Sequence, residues 1–151
     1  MSNKGNSKIS DDDKTIIERF FFLKENQKFD EAIELLEPFI KKYPEEYKLF
    51  FLLGSTFYQI NSYKKSIIFL KKAISLNPSH SLASLTLIHS LGQLNKWNTA
   101  INELRRFLIE NKLNIDEHLL LLKDFKEGAY NFATSERVTI EKLFHSFFSA
   151  K

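Results

Sequence analysis

Imidazoles, carboxylates and paired cations are the side chains of this sequence with chemistry to offer, and their spacing decides which chemistry that is. The four histidines are His80, His89, His118 and His145. No two of them are three or four residues apart, so no helix face can turn two imidazoles toward one metal. For His89 the plain reading is groove or core packing. Asp11, Asp12 and Asp13 stand together ahead of an apolar run. No further oxygen ligands follow them at calcium-loop spacing, whereas carboxylates in that place cap exposed amides and favour the positive end of a helix dipole. The sequence has no cysteine, which removes thiolate nucleophiles, thiolate metal sites and disulfides together and suits a reducing compartment. It also has no glycine-rich phosphate loop, no nucleophile elbow and no acid pair set for glycoside hydrolysis. These residues predict no catalytic group, no metal site and no cofactor, and the protein is not expected to be an enzyme.

The paired cations Lys71-Lys72 and Arg105-Arg106 are read as a solvated basic ridge on an outward helix face. Aromatic residues do not interleave with them as in a nucleic-acid platform, and a formal net charge of +3 is too small to imply such a partner.

The elements that carry these residues follow from composition and period. With 151 residues, 43% of them hydrophobic, the chain can bury the core of one domain. Fifteen phenylalanines, four glycines and three prolines favour long helices joined by short turns. Residues 1–10 are polar and lack a secretory apolar stretch, and no run approaches the roughly 20 apolar residues that span a bilayer. A disordered tail over 1–10, a single domain over 11–151, no membrane span and a cytoplasmic location are expected.

An internal period organises that domain. Pro44 and Pro78 each close an amphipathic segment, and a third segment opens at the same interval. Phe29, Tyr63 and Trp97 are in register as the aromatic residue that opens a helix. Ala32, Ser66 and Ala100 are in register as the small residue where two helices approach closely, and Leu36, Leu70 and Leu104 share a third phase. A fixed interval of this length is the mark of stacked helical hairpins. The pattern predicts helices near 12–26, 29–42, 46–60, 63–76, 80–94, 97–111, 116–127 and 135–149. Asp116 would cap the seventh, which runs through Leu119, Leu120, Leu122 and Phe125 to Gly128. Thr134 or Ser135 would cap the last, which carries Val138, Leu143, Phe144, Phe147 and Phe148. Pro38, inside the second helix, predicts a bend there.

With these residues in place the chain resembles the tetratricopeptide-repeat (TPR) family, whose helix-turn-helix unit has the same period. The middle copy carries the resemblance best: Phe50, Leu53, Gly54, Phe57, Tyr63, Ser66, Leu70, Ala73 and Pro78 fall on the family's signature places. The first copy has Arg19 and Phe20 where leucine and a small residue are usual, so its leading helix is expected to pack differently. The third has Ile88 in the small position and Lys112 in place of the closing proline. The resemblance implies an all-α right-handed superhelical solenoid of three repeats, over about 12–45, 46–79 and 80–113. A degenerate fourth pair over 114–151 caps it.

In this family the first helix of each repeat lines a concave surface, and the resemblance places the candidate partner-binding residues there. They are Ile17 and Phe21 from the first repeat, and Phe51, Leu52, Ser55, Tyr58 and Gln59 from the second. The third repeat gives Leu82, Leu85, Thr86, His89 and Gln93. Family members that clasp acidic chaperone tails use lysine, asparagine and arginine at five such places. Here those places are Ile17, Phe21, Leu52, Leu82 and Thr86, so a carboxylate clamp is not expected. An apolar trough with amides at its edge suits an extended peptide or an amphipathic helix of a partner protein; the other occupants are the chain's own termini or a second copy in a homodimer. The expected function is a non-catalytic interaction module, chaperone- or adaptor-like, similar in size and repeat number to the type III secretion translocator chaperones. The alternative is an immunity-type protein that neutralises a folded toxin or effector by surface complementarity.

Overall fold

The computed structural model describes residues 9–112, 116, 123 and 134–149, the last stretch with its side chains over 138–146. Among the described residues there are seven helices and no strand: α1 (Asp11–Glu25), α2 (Phe29–Lys42), α3 (Tyr47–Gln59), α4 (Tyr63–Leu76), α5 (Ser81–Gln93), α6 (Trp97–Asn111) and α7 (Thr134–Ser149). Each bound falls within one residue of the range read from the period. Asp116 and Lys123 are helical, and the rest of the helix expected over 116–127 lies outside the described residues. So do residues 1–8 of the tail expected over 1–10, the side chains expected to cap the last helix, and Phe147 and Phe148. No helix among the described residues is long and apolar enough to cross a membrane. The chain divides into two compact units, Met1–Asn77 and Pro78–Lys151.

In the first unit α1 packs on α2, α2 on α3 and α3 on α4. The aspartate triplet occupies the first turn of α1, but the capping group is Ser10, whose hydroxyl accepts from the Asp13 amide at 3.3 Å. Ile9 packs against the core, so Ile9 and Ser10 belong to this unit rather than to a tail. Asp13 instead reaches the far end of α2. Its Oδ2 accepts from Lys42 Nζ at 2.6 Å and from the Tyr43 hydroxyl, bonds that hold its carboxyl down from 3.8 to about 2, Lys42 first and Tyr43 second. The core beneath this latch joins Phe20, Leu23, Ala32, Ile33, Leu36, Leu49, Leu53 and Phe57. Phe20, in the place of the small residue, is fully buried among them. Pro38 lies inside α2, which continues unbroken to Lys42.

In the three hairpins α1–α2, α3–α4 and α5–α6 the two helices meet through a left-handed residue. Gln27, Asn61 and Asn95 have φ of 58°, 59° and 56°, and they recur at the same interval as the prolines. The reverse bonds recur with them: Lys28 N to Leu23 O at 2.8 Å, Ser62 N to Phe57 O at 2.8 Å and Lys96 N to Leu91 O at 2.9 Å. These bonds satisfy the last-turn carbonyls and turn the chain back on itself. Gly54 lets the second hairpin close: a Cβ there would stand 2.7 Å from Leu70 Cγ. Ser66, where alanine is usual, is buried with its hydroxyl donating to the Gly54 carbonyl at 2.8 Å, so its polar atom is satisfied.

In the second unit α5 packs on α6 and α6 on α7, with Leu87, Ile88, Leu91, Leu104, Phe107, Leu108 and Phe144 all buried. Gly92 admits the Trp97 ring, since a Cβ there would lie 2.7 Å from it. Arg106 departs from the expected solvated ridge. Its guanidinium makes a two-toothed pair with Glu103 at 3.0 and 2.7 Å, donates to the Pro78 carbonyl at 2.8 Å and donates to the buried Ser84 hydroxyl at 2.6 Å. It is a clamp across the hairpin, because a planar five-donor head can bridge a carboxylate and two further acceptors at once. Arg105 is exposed and hydrogen-bonds along its own helix, to Asn102.

Candidate protein-binding faces

The residues singled out for partner binding fall on α1 and α3 in the first unit and on α5 in the second. On α1, Phe21 is 46% exposed and stands edge-on to the buried Phe20 ring, with centroids 5.5 Å apart. Ile17 is half-buried and leans on the core, as Leu52 does from α3. These two therefore both shape the face and support the fold. Phe51, Ser55 and Tyr58 are half-buried beside Leu52, and Gln59 is exposed at the end of the helix. The Ser55 hydroxyl donates to the Leu52 carbonyl at 3.0 Å. The Tyr58 ring meets Tyr63 at 5.7 Å, and partial burial, with Tyr63 beside it, pushes the Tyr58 phenol up.

The α5 face repeats this chemistry. Leu82 is 61% exposed, Leu85, Thr86 and His89 are half-buried, and Gln93 is exposed one repeat after Gln59. The Thr86 hydroxyl donates to the Leu82 carbonyl at 2.7 Å. With both hydroxyls engaged in their own helices, each face offers a ligand aliphatic and aromatic surface with amides at the C-terminal end. None of the twelve residues carries a formal charge. Among the described residues no group of three or more histidines and acids is placed to hold a metal ion.

Three features were not read from the sequence. Phe22 is 61% exposed and, with Ile16, Arg19 and Glu31, bounds a hollow of about 640 Å³ beside α1. Its signal was positional: one repeat on, the same place is the fully buried Thr56. His80 proves to be the N-cap of α5, its Nδ1 accepting from the Ala83 amide at 3.1 Å. That bond needs an unprotonated Nδ1, and burial pushes the imidazole below its ordinary 6.5. Ile68 is 66% exposed among the lysines of α4.

Comparison with known proteins agrees with the register. A search of curated protein sequences gives no significant match. Among solved structures, MamA (residues 41 to the end) from Desulfovibrio magneticus RS-1 is similar with a TM-score of 0.68 at 12% identity, covering 95% of this chain and 80% of that one. The TPR2B domain of yeast Sti1, solved in complex with pHsp70, gives 0.63 at 13% identity over 94% of this chain and 100% of that one. The first TPR of Spaghetti (RPAP3), bound to the HSP90 peptide SRMEEVD, gives 0.62 at 19% identity over 75% and 92%. At such identities the likeness shows the fold, which is the all-α TPR fold. A family model described as anaphase-promoting complex, cyclosome, subunit 3 matches residues 25–107, more than half of the chain and the whole stretch in which the repeat register is strongest. On that match and that register, the chain belongs to this tetratricopeptide-repeat family.

Proposed function

We propose that the protein is a non-catalytic interaction module that takes a peptide or helix of a partner protein on the apolar faces of its first helices, in the manner of a chaperone or adaptor. The observation that carries this reading is the exposure of large apolar side chains on those helices, Phe21 at 46% and Leu82 at 61%, without a charge among the candidate residues. Apolar groups held in water on helices favour a ligand with matching apolar side chains, at about 25 cal/mol for each Å² buried. Two structural neighbours were solved with chaperone-derived ligands, one of them the acidic peptide SRMEEVD. In this chain, Ile17, Phe21, Leu52, Leu82 and Thr86 offer no cation to such a tail, so the preferred ligand differs from theirs.

Selection from a displayed library of random peptides tests the reading. The wild-type chain should enrich peptides with apolar side chains at regular spacing. Phe51→Ala should weaken peptides held by the α3 face, and Leu85→Glu those held by the α5 face, by about tenfold or more, the usual cost of losing one anchor, with helicity unchanged by circular dichroism. Wild-type affinity in both variants would remove α3 and α5 from the binding surface.

A further inference from the structure

Successive hairpins of the first unit carry opposite charge at matching positions. On α2 the exposed residues Asp30, Glu31, Glu34 and Glu37 form an acidic stripe over two turns. On α4, one repeat later, Lys64, Lys65 and Lys71 stand in the places of Asp30, Glu31 and Glu37, and Lys72 follows. All four lysines are exposed, and α4 contains no acidic residue. Among the described residues no carboxylate forms an ion pair with any of them, and of the four acids on α2 only Glu31 is paired, with Lys28 at 3.0 Å. The acids lie three and four residues apart and repel one another, the lysines add four positive charges to one helix, and each stripe gains from a surface of the other sign. The shapes differ in a complementary way as well. Ile68, 66% exposed, projects amid the lysines, while beside the acids a hollow of about 490 Å³ is bounded by Glu34, Glu37, Pro38, Ile40 and Lys41.

We infer that this second-helix flank binds a second copy of the chain, with α4 of each protomer lying on α2 of the other about a two-fold axis. Ile68 then enters the hollow between Glu34 and Glu37, and the lysines meet the acidic stripe. One two-fold uses both stripes twice, so the surface is complementary to itself, which a single-sign patch is not. Lys65 and Lys72 are already steadied over the Phe57 and Phe50 rings, at 5.2 and 5.8 Å, which lowers the freedom they lose on docking. Helices of 14 residues offer faces about 21 Å long and about 10 Å wide. Two such faces a side bury roughly 800 Å² in all, below the size of a permanent interface. The dimer is therefore weak, forming at tens to hundreds of micromolar, and sensitive to salt.

Sedimentation velocity of the full chain over a concentration series tests this at about 50 mM and about 500 mM salt, which shortens the screening length severalfold. The wild type should show a monomer–dimer equilibrium whose association constant falls about tenfold or more at the higher salt. Two double variants change only exposed residues and spare the ring contacts: Lys64→Glu with Lys71→Glu, and Asp30→Lys with Glu37→Lys. Each should be monomeric alone, and an equimolar mixture should regain a dimer. A wild type that stays monomeric through hundreds of micromolar at low salt overturns the inference. So does a dimer that both variants retain, or a mixture that stays monomeric. The peptide binding proposed above uses other helices and is measured separately in the same variants, so a failure of either idea leaves the other standing.

Discussion

Asp13 sits in the first turn of α1, where the helix dipole, the Lys42 ammonium and the Tyr43 hydroxyl all favour its ionised form. Its carboxyl is depressed in the folded state from 3.8 to about 2, so the unfolded chain takes up a proton first as the solution is acidified. Stability from this group is complete above the unfolded value and is lost as pH falls from about 4 through about 2. Asp13→Asn should therefore melt at a lower temperature than the wild type at neutral pH, and the gap should close as pH approaches 2. Thermal melts followed by circular dichroism between pH 7 and pH 2 check this, and a gap that does not narrow with acid would place the effect of Asp13 elsewhere. The latch was not legible in the sequence, because it depends on Lys42 and Tyr43, which lie a whole helical hairpin away along the chain. The same holds for Arg106: its neighbour Arg105 predicts a solvated pair, and only the fold brings Pro78 and Ser84 within its reach. Apolar register was easier to read, since Leu36, Leu70 and Leu104 repeat a burial pattern that needs no partner to be named.

The helices themselves follow from that register, and their bounds came out within one residue because prolines close two of them and aromatic residues open three. The turns were less legible. No glycine marks the three described hairpin turns; Gln27, Asn61 and Asn95 take the left-handed conformation instead. Asparagine tolerates that region through its short polar side chain, while glutamine has no such aid. Gln27→Gly should then stabilise the α1–α2 hairpin by about 1 kcal/mol, the order of the strain it relieves. Asn61→Gly, made in parallel, should gain less. Urea titrations of the two variants against the wild type measure both effects, and an equal or reversed order would mean that the side chain of Gln27 contributes something its backbone angle conceals. The candidate binding residues share this divided legibility. Their place on first helices follows from the register, but the lean of Ile17 and Leu52 into the core, and the exposure of Phe22 beside them, depend on which neighbouring side chains fill the space.

For the molecule as a whole, the first helices and the second helices present different chemistry. The candidate residues on α1, α3 and α5 are uncharged and mostly apolar or aromatic, whereas stripes of opposite sign mark α2 and α4. The two kinds of surface respond oppositely to ions, because burial of apolar area is little weakened by salt while pairing of exposed charges is screened. A peptide selected on the wild-type chain should consequently bind with an affinity that changes less than about threefold between about 50 mM and about 500 mM salt, while self-association falls about tenfold or more over the same range. If the surfaces are separate, saturating peptide should leave the monomer–dimer equilibrium unchanged, and the charge variants should bind peptide as the wild type does. Fluorescence anisotropy of a labelled peptide, read alongside sedimentation of the same samples, decides between this arrangement and a shared surface. Peptide that dissociates the dimer would mean that the second copy occupies the apolar faces instead, as a stand-in for the partner, and the charged stripes would then need another explanation.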